Sequence, residues 1–141
     1  VIVMPEGCGV ADGPLEIFEQ FRLGLLAGAF LPDEELWDED AVVEFPYAPE
    51  GRPQRFTGRA EVLAFAAAAQ AEQPVRFDNF QVLALRDAGP DPQVLIAEYQ
   101  LTGTAAATGH RGSAVFVLKL RVRDGRITHW REYQDLLAPR I

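Results

Sequence analysis

The most chemically loaded stretch of the chain is Ile127-Thr128-His129-Trp130-Arg131-Glu132-Tyr133-Gln134-Asp135, which reads as the last strand. It places two carboxylates, a guanidinium, an imidazole and a phenol between His129 and Asp135. A carboxyl held in an apolar setting beside a tuning cation is suited to general acid/base transfer of a proton. Glu132 and Asp135 are three apart, so a regular strand turns them to opposite faces. The register of the hairpin that contains them decides which one can enter a site.

Asp124-Gly125, between two alternating strands, is a type I′ hairpin signal. With these as the loop residues, Arg123 pairs with Arg126, Leu120 with His129, Leu118 with Arg131, Phe116 with Tyr133 and Ala114 with Asp135. Opposed residues share a face. His129, Arg131, Tyr133 and Asp135 are then expected on the more apolar side, under the helices, with Arg131 tuning the charge of Asp135. Trp130 and Glu132 are expected on the other side with Val115, Val117 and Lys119. A bulge would exchange Glu132 for Asp135, so the candidate catalytic residues are Asp135, Glu132 and Arg131.

Glu98 and Gln100 alternate on a neighbouring strand and would orient a substrate, with Tyr99 turned the other way as packing. Phe18, Phe21, Trp37, Phe45, Tyr47, Phe65 and Phe116 can line an apolar cavity, joined by His129 and Tyr133. His129 also reads as a hydrogen-bonded structural side chain. An aromatic lining with one or two carboxylates suits a flat, hydrophobic, carbonyl-bearing or cyclic ligand. His110 and His129 are far apart, no carboxylate cluster has ligand spacing, and no glycine loop is shaped for phosphate. Neither a metal nor a cofactor is expected.

These residues need elements to hold them. Residues 14–29 carry Leu15, Phe18, Leu25 and Leu26 at helical spacing with Ile17 and Phe21 adjoining, and Asp33 to Trp37 reads as a short second helix. A strand around Val42 to Phe45 is broken by Pro46 and Pro49 into a loop ending at Gly58. A third helix over residues 59–72 turns Val62, Leu63, Phe65 and Ala66 inward. The remainder alternates as four strands separated by turn signals. The order predicts an α+β domain, a curved antiparallel sheet with helices over one face. Residues 1–13 read as a flexible segment and 14–141 as a single domain.

At 141 residues the chain suits one core. Its net charge of −8 repels polyphosphates, so no nucleic-acid partner is expected. No apolar run approaches a membrane span, and the lone Cys8 fits a reducing cytoplasm.

Three segments carry a family resemblance: Ala41 to Phe65 with its Phe-Pro loop and glycine before a helix, the Ala97 to Gly103 strand, and Leu120 to Pro139 with Asp-Gly followed by Trp-Arg-Glu-Tyr. Together they resemble the nuclear-transport-factor-2-like superfamily, in its SnoaL-like branch, over nearly the whole chain from Pro14. The resemblance implies a cone-shaped sheet closed by three helices around a pocket, commonly a homodimer. It hosts isomerases, polyketide cyclases, dehydratases, epoxide hydrolases and binding domains.

Position by position, the ketosteroid-isomerase base falls on Phe45, and the second acid of those enzymes falls among apolar residues around Phe116, which argues against that chemistry. The epoxide-hydrolase pattern keeps Asp135 but finds Glu98 and Gln100 for its other two polar residues. The polyketide-cyclase analogy places the acid/base on Asp135, and the phenazine-biosynthesis analogy places it on Glu132. The leading expectation is a cofactor-independent acid/base enzyme, a cyclase, isomerase or dehydratase. A small-molecule-binding domain and an epoxide hydrolase are the alternatives.

Overall fold

A computed structural model describes residues 13–72, 75–88 and 90–135. Cys8 and the rest of the expected flexible segment, except Gly13, lie outside the described residues. The elements run α1 (Pro14–Leu26), a single 3-10 turn (Glu34–Leu36), β1 (Trp37–Glu44), β2 (Arg55–Thr57), α2 (Arg59–Glu72), β3 (Val75–Ala88), β4 (Asp91–Ala105), β5 (Arg111–Arg123) and β6 (Arg126–Gln134). The second expected helix is only that turn, and Trp37 opens a strand instead of ending a helix. The acidic residues Asp38, Glu39 and Asp40 continue it to Val42, where regular pairing with β6 resumes after a register shift.

The six strands form one sheet in the order β2-β1-β6-β5-β4-β3. It is mixed and not purely antiparallel, because β1 pairs with β6 in parallel. The chain between them is long enough for the crossover that parallel neighbours require. β2, expected as loop, pairs Val43 with Phe56 and extends the sheet beyond β1.

One sheet face is the core. Trp37, Ala41 and Val43 of β1, Leu95, Ala97, Tyr99 and Leu101 of β4, Leu118 and Leu120 of β5, and Trp130 of β6 are all buried. α1 buries Ile17, Phe18, Phe21 and Leu25 against this face, while Leu15, expected inward, is exposed. A stripe at those spacings is one side of a 3.6-residue helix. α2 lies over β1 and β2 and buries Val62.

β3 crosses β4 closely at Gly103. A Cβ there would meet the Arg76 carbonyl oxygen at 2.8 Å and Val75 Cγ1 at 2.9 Å. The approach that lets β3 carry Phe80 over the core therefore depends on a residue without a side chain.

Candidate functional site

The hairpin turns at Asp124 and Gly125 with φ of 52° and 76°, both positive as a type I′ turn requires. Arg123 pairs with Arg126 and Val122 with Ile127, but the next pair is Arg121 with His129. Thr128 is an extra residue, a bulge whose Oγ1 donates to the Arg121 carbonyl at 3.4 Å. Its cause is packing: Ile127 and Trp130 are both fully buried, and three-residue spacing allows that only with an inserted residue between them.

The bulge reverses the expected faces. Trp130 lies opposite Leu120 and Glu132 opposite Leu118, both on the helix-covered side. His129, Arg131 and Tyr133 lie opposite Arg121, Lys119 and Val117 on the outward side. Asp135 follows the strand there: its backbone N–H donates to the Val115 carbonyl at 2.9 Å, and the residue is exposed. The expected inward group of Asp135 with Arg131, His129 and Tyr133 is thus corrected to Glu132 with Trp130.

The same phase holds on β4. Leu95, Ala97, Tyr99 and Leu101 point inward, so Glu98 and Gln100, opposite Val117 and Val115, share the outward face. Tyr99, expected as packing on the far side, is the residue that reaches Glu132. Its hydroxyl donates to Glu132 Oε1 at 2.6 Å. The Tyr99 ring is fully buried, stacked on Phe80 at 4.7 Å and Phe116 at 5.4 Å, with Phe18 and Phe21 against it. Burial, and then the neighbouring carboxyl, hold its hydroxyl proton far above the ordinary phenol range.

Burial pushes the Glu132 carboxyl up to about 7, against opposing help to the anion from the Tyr99 hydroxyl and, less, from the Trp130 indole. Glu132 nonetheless keeps part of its surface accessible. Trp130 Nε1 is itself buried and falls short of hydrogen-bond geometry to any partner. The Trp130 ring is wedged by Phe21 at 4.8 Å and Trp37 at 5.7 Å, and Trp37 Nε1 donates to the Pro32 carbonyl at 2.9 Å. A small cleft of about 50 Å³ between α1 and the 3-10 turn is lined by Phe21, Leu31, Asp33 and Leu36.

Among the expected lining residues, Phe18, Trp37 and Phe116 join this cluster. Phe45 and Phe65 belong to a second one, with Phe56 and Phe30. Tyr47 is 61% exposed and packs its ring on Tyr133 at 5.3 Å. On the outward face His129 Nε2 and Glu44 Oε1 are 2.5 Å apart, Arg131 Nε donates to Tyr133 Oη at 2.5 Å, and Arg131 and Arg55 each lie 3.7 Å from Glu44. The bond to His129, then the nearby cations, hold the Glu44 carboxyl below its ordinary value. Phe21, also expected in the lining, packs on Tyr99 and Trp130, whereas Tyr99, Phe80 and Glu44 are contributors not expected in a site. For Tyr99, the alternation of Leu95, Ala97 and Leu101 was the available signal. Among the described residues no group of three or more His, Cys, Asp or Glu side chains is placed to hold a metal.

Residues 29–130 match the SnoaL-like domain family. The chain belongs to that family. It is 35% identical over 104 residues to the uncharacterized protein YesE of Bacillus subtilis, covering 74% of this chain and 69% of that one. It is 32% identical over 103 residues to the uncharacterized PhzA/B-like protein PA3332 of Pseudomonas aeruginosa, covering 73% and 70%. A crystal structure of a Bacillus subtilis protein proposed as an isomerase superposes with a TM-score of 0.77 at 32% identity, covering 87% of this chain and 86% of that one. The α+β architecture expected from the sequence is the one this SnoaL-like chain adopts, with two helices and a 3-10 turn where three helices were expected.

Proposed function

We propose that this SnoaL-like protein is a cofactor-independent acid/base enzyme acting on a hydrophobic carbonyl-bearing or cyclic small molecule, with Glu132 as the proton shuttle. The observation that carries the reading is the Glu132 carboxyl on the helix-covered face, joined to Tyr99 and raised to about 7 by burial within an aromatic surround. A carboxyl with that value is populated in both forms near neutrality, so it can take a proton from one carbon and return it to another. Tyr99, held protonated, fixes Oε1 and leaves the second oxygen to the substrate. Phe116, partly accessible, offers apolar ring surface suited to a planar ligand, backed by the buried rings of Phe18, Phe21 and Phe80 around Tyr99.

Isomerisation fits a single carboxyl best, since one group can perform both transfers. The relationship to the PhzA/B-like relative supports Glu132 over Asp135 as the acid/base. The epoxide-hydrolase reading loses support, because the three positions it uses, Glu98, Gln100 and Asp135, lie on the outward face of the sheet and not on the helix-covered one. We also propose a homodimer through that outward face, where Ile96, Val115, Val117 and Tyr133 are only half-buried. A mass that stays monomeric across concentrations in sedimentation would overturn it. The lone Cys8 supports a reducing, cytoplasmic setting. Among the described residues no helix is long and apolar enough to cross a membrane.

The test is deuterium exchange at carbons next to the carbonyl in a panel of cyclic and aromatic ketones, followed by NMR in D₂O. Exchange catalysed by the wild type and lost at least about 100-fold in Glu132→Gln supports the shuttle. A second reading, a binding domain without catalysis, is favoured by the complete enclosure of the Tyr99 ring. It gains if the ketones raise the melting temperature and no exchange occurs.

A further inference from the structure

Trp130 and Glu132 are two apart on β6 beyond the bulge and share the inward face. The indole is pinned by Phe21 and Trp37, and its Nε1 is buried without a hydrogen-bond partner. An unsatisfied buried donor is costly, and such groups are rare in native structures. Beside it is a carboxyl with a spare acceptor: among the described residues only Glu132 Oε1 is bonded, by Tyr99.

We propose that Trp130 is a positioning residue for Glu132, its indole N–H closing on the carboxylate when the carboxyl loses its proton and standing unbonded when it is protonated. A neutral carboxyl is the weaker acceptor and the anion the stronger, since charge-assisted hydrogen bonds are shorter and about twice as strong as neutral ones. The indole already favours the charged form, although it does not meet hydrogen-bond geometry. Other groups do not compete. α1 faces the site with Ile17, Phe18, Phe21 and Leu25, β5 with Leu118 and Leu120, and β1 with Val43. The charged residues Glu19 and Arg22 of α1 pair with each other at the surface. Tyr99 from β4 is the one titratable group among the described residues that acts on Glu132. The consequence is a general base whose anion is held by two neutral donors, Tyr99 in both states and Trp130 in the charged one, with no cation among the described residues to make it too weak a base.

The inference concerns the same carboxyl as the proposed function, but it is read in the resting protein, so it can fail while catalysis stands, and the reverse. Two indoles report in a protein labelled with ¹⁵N-tryptophan. Trp37, bonded to Pro32, is the fixed reference. Between pH 5 and 9 the Trp130 indole proton should move downfield with the midpoint at which ¹³C-labelled Glu132 titrates, and should stay flat in Glu132→Gln. Trp130→Phe should raise the Glu132 midpoint by about 1, the worth of one hydrogen bond to a charged group. Should that variant not fold, the wild-type titration decides alone. A Trp130 resonance that stays still while Glu132 titrates overturns the proposal. One that moves only when a ketone is added also overturns it, and makes the indole a donor to the ligand.

Discussion

Tyr99 and Glu132 are joined at 2.6 Å across an intervening strand, from β4 to β6 over the Phe116 and Leu118 positions of β5. Neighbouring strands are about 4.8 Å apart, so the bond bridges roughly 10 Å of sheet and needs two long side chains leaning toward each other. It binds the strand that carries the acid/base to a fully enclosed ring of the core.

Stability should fall with rising pH through neutrality. Unfolded, Glu132 loses its proton near the ordinary 4.5; folded, it holds it to about 7. Between those values the native state binds the extra proton, so its contribution is complete below about 4.5 and is lost as pH rises through 7. The ceiling is about 3 kcal/mol. Urea midpoints measured from pH 5 to 8 should fall for the wild type and stay level for Glu132→Gln. A level wild-type profile would mean that the carboxyl is not raised.

Tyr99→Phe keeps the stacked ring and removes one donor. The loss should cost about 1 kcal/mol and push the Glu132 midpoint further up, because the hydroxyl favours the anion. Activity would then require higher pH, while the melting temperature drops only modestly. A pH–rate profile of the variant that coincides with the wild type would exclude Tyr99 from tuning the site.

Much of this arrangement is readable in the chain. The helix from Pro14, the helix over residues 59–72, the β3-β4 and β5-β6 hairpins and the Asp124-Gly125 turn follow from spacing and turn chemistry. The Thr128 bulge does not follow from turn chemistry, and it alone decides whether Glu132 faces the core. Ile127 and Trp130 held the clue, since two large apolar residues three apart cannot both face inward in a regular strand. The parallel β1-β6 pair and short β2 were hidden because both depend on contacts between segments distant in sequence, which local patterns do not record.

The outward face should show the opposite pH response. Glu44 is held below its ordinary value by His129 and then by Arg131 and Arg55. Its contribution is present above about 4.5 and lost as pH falls through the lower folded value. Glu44→Gln should cost about 1 kcal/mol at pH 7 and progressively less in acid, where the wild-type carboxyl is itself protonated. Urea titrations at pH 7 and pH 3 give the two differences. Equal losses at both would show that the effect is packing, not charge.

Gly103→Ala should be severe for its size. The added methyl would sit 2.8 Å from the Arg76 carbonyl oxygen and 3.0 Å from Phe77 Cδ1. A backbone oxygen cannot swing aside, so β3 must shift, at a cost on the order of 1–3 kcal/mol. Because β3 carries Phe80 onto Tyr99, the variant should also loosen the aromatic surround of Glu132. Near-UV circular dichroism should weaken with the melting temperature, whereas an unchanged spectrum would confine the damage to the sheet edge.

Glu132→Gln and Asp135→Asn separate a functional carboxyl from an incidental one. At pH 8 to 9 the wild type holds a charge where burial disfavours it, and glutamine of the same shape holds none while its amide oxygen can still accept from Tyr99. Glu132→Gln should therefore be more stable than the wild type in that range, by on the order of 1–3 kcal/mol, while losing proton transfer. Gaining stability as function is lost is the signature of a group kept for chemistry, against the interest of the fold. Asp135, exposed on the outward face, should show neither effect beyond about 0.5 kcal/mol. Calorimetry at pH 8.5 on the two variants beside the ketone exchange assay makes the comparison. Loss of exchange in Asp135→Asn with Glu132→Gln still active would return the acid/base role to Asp135.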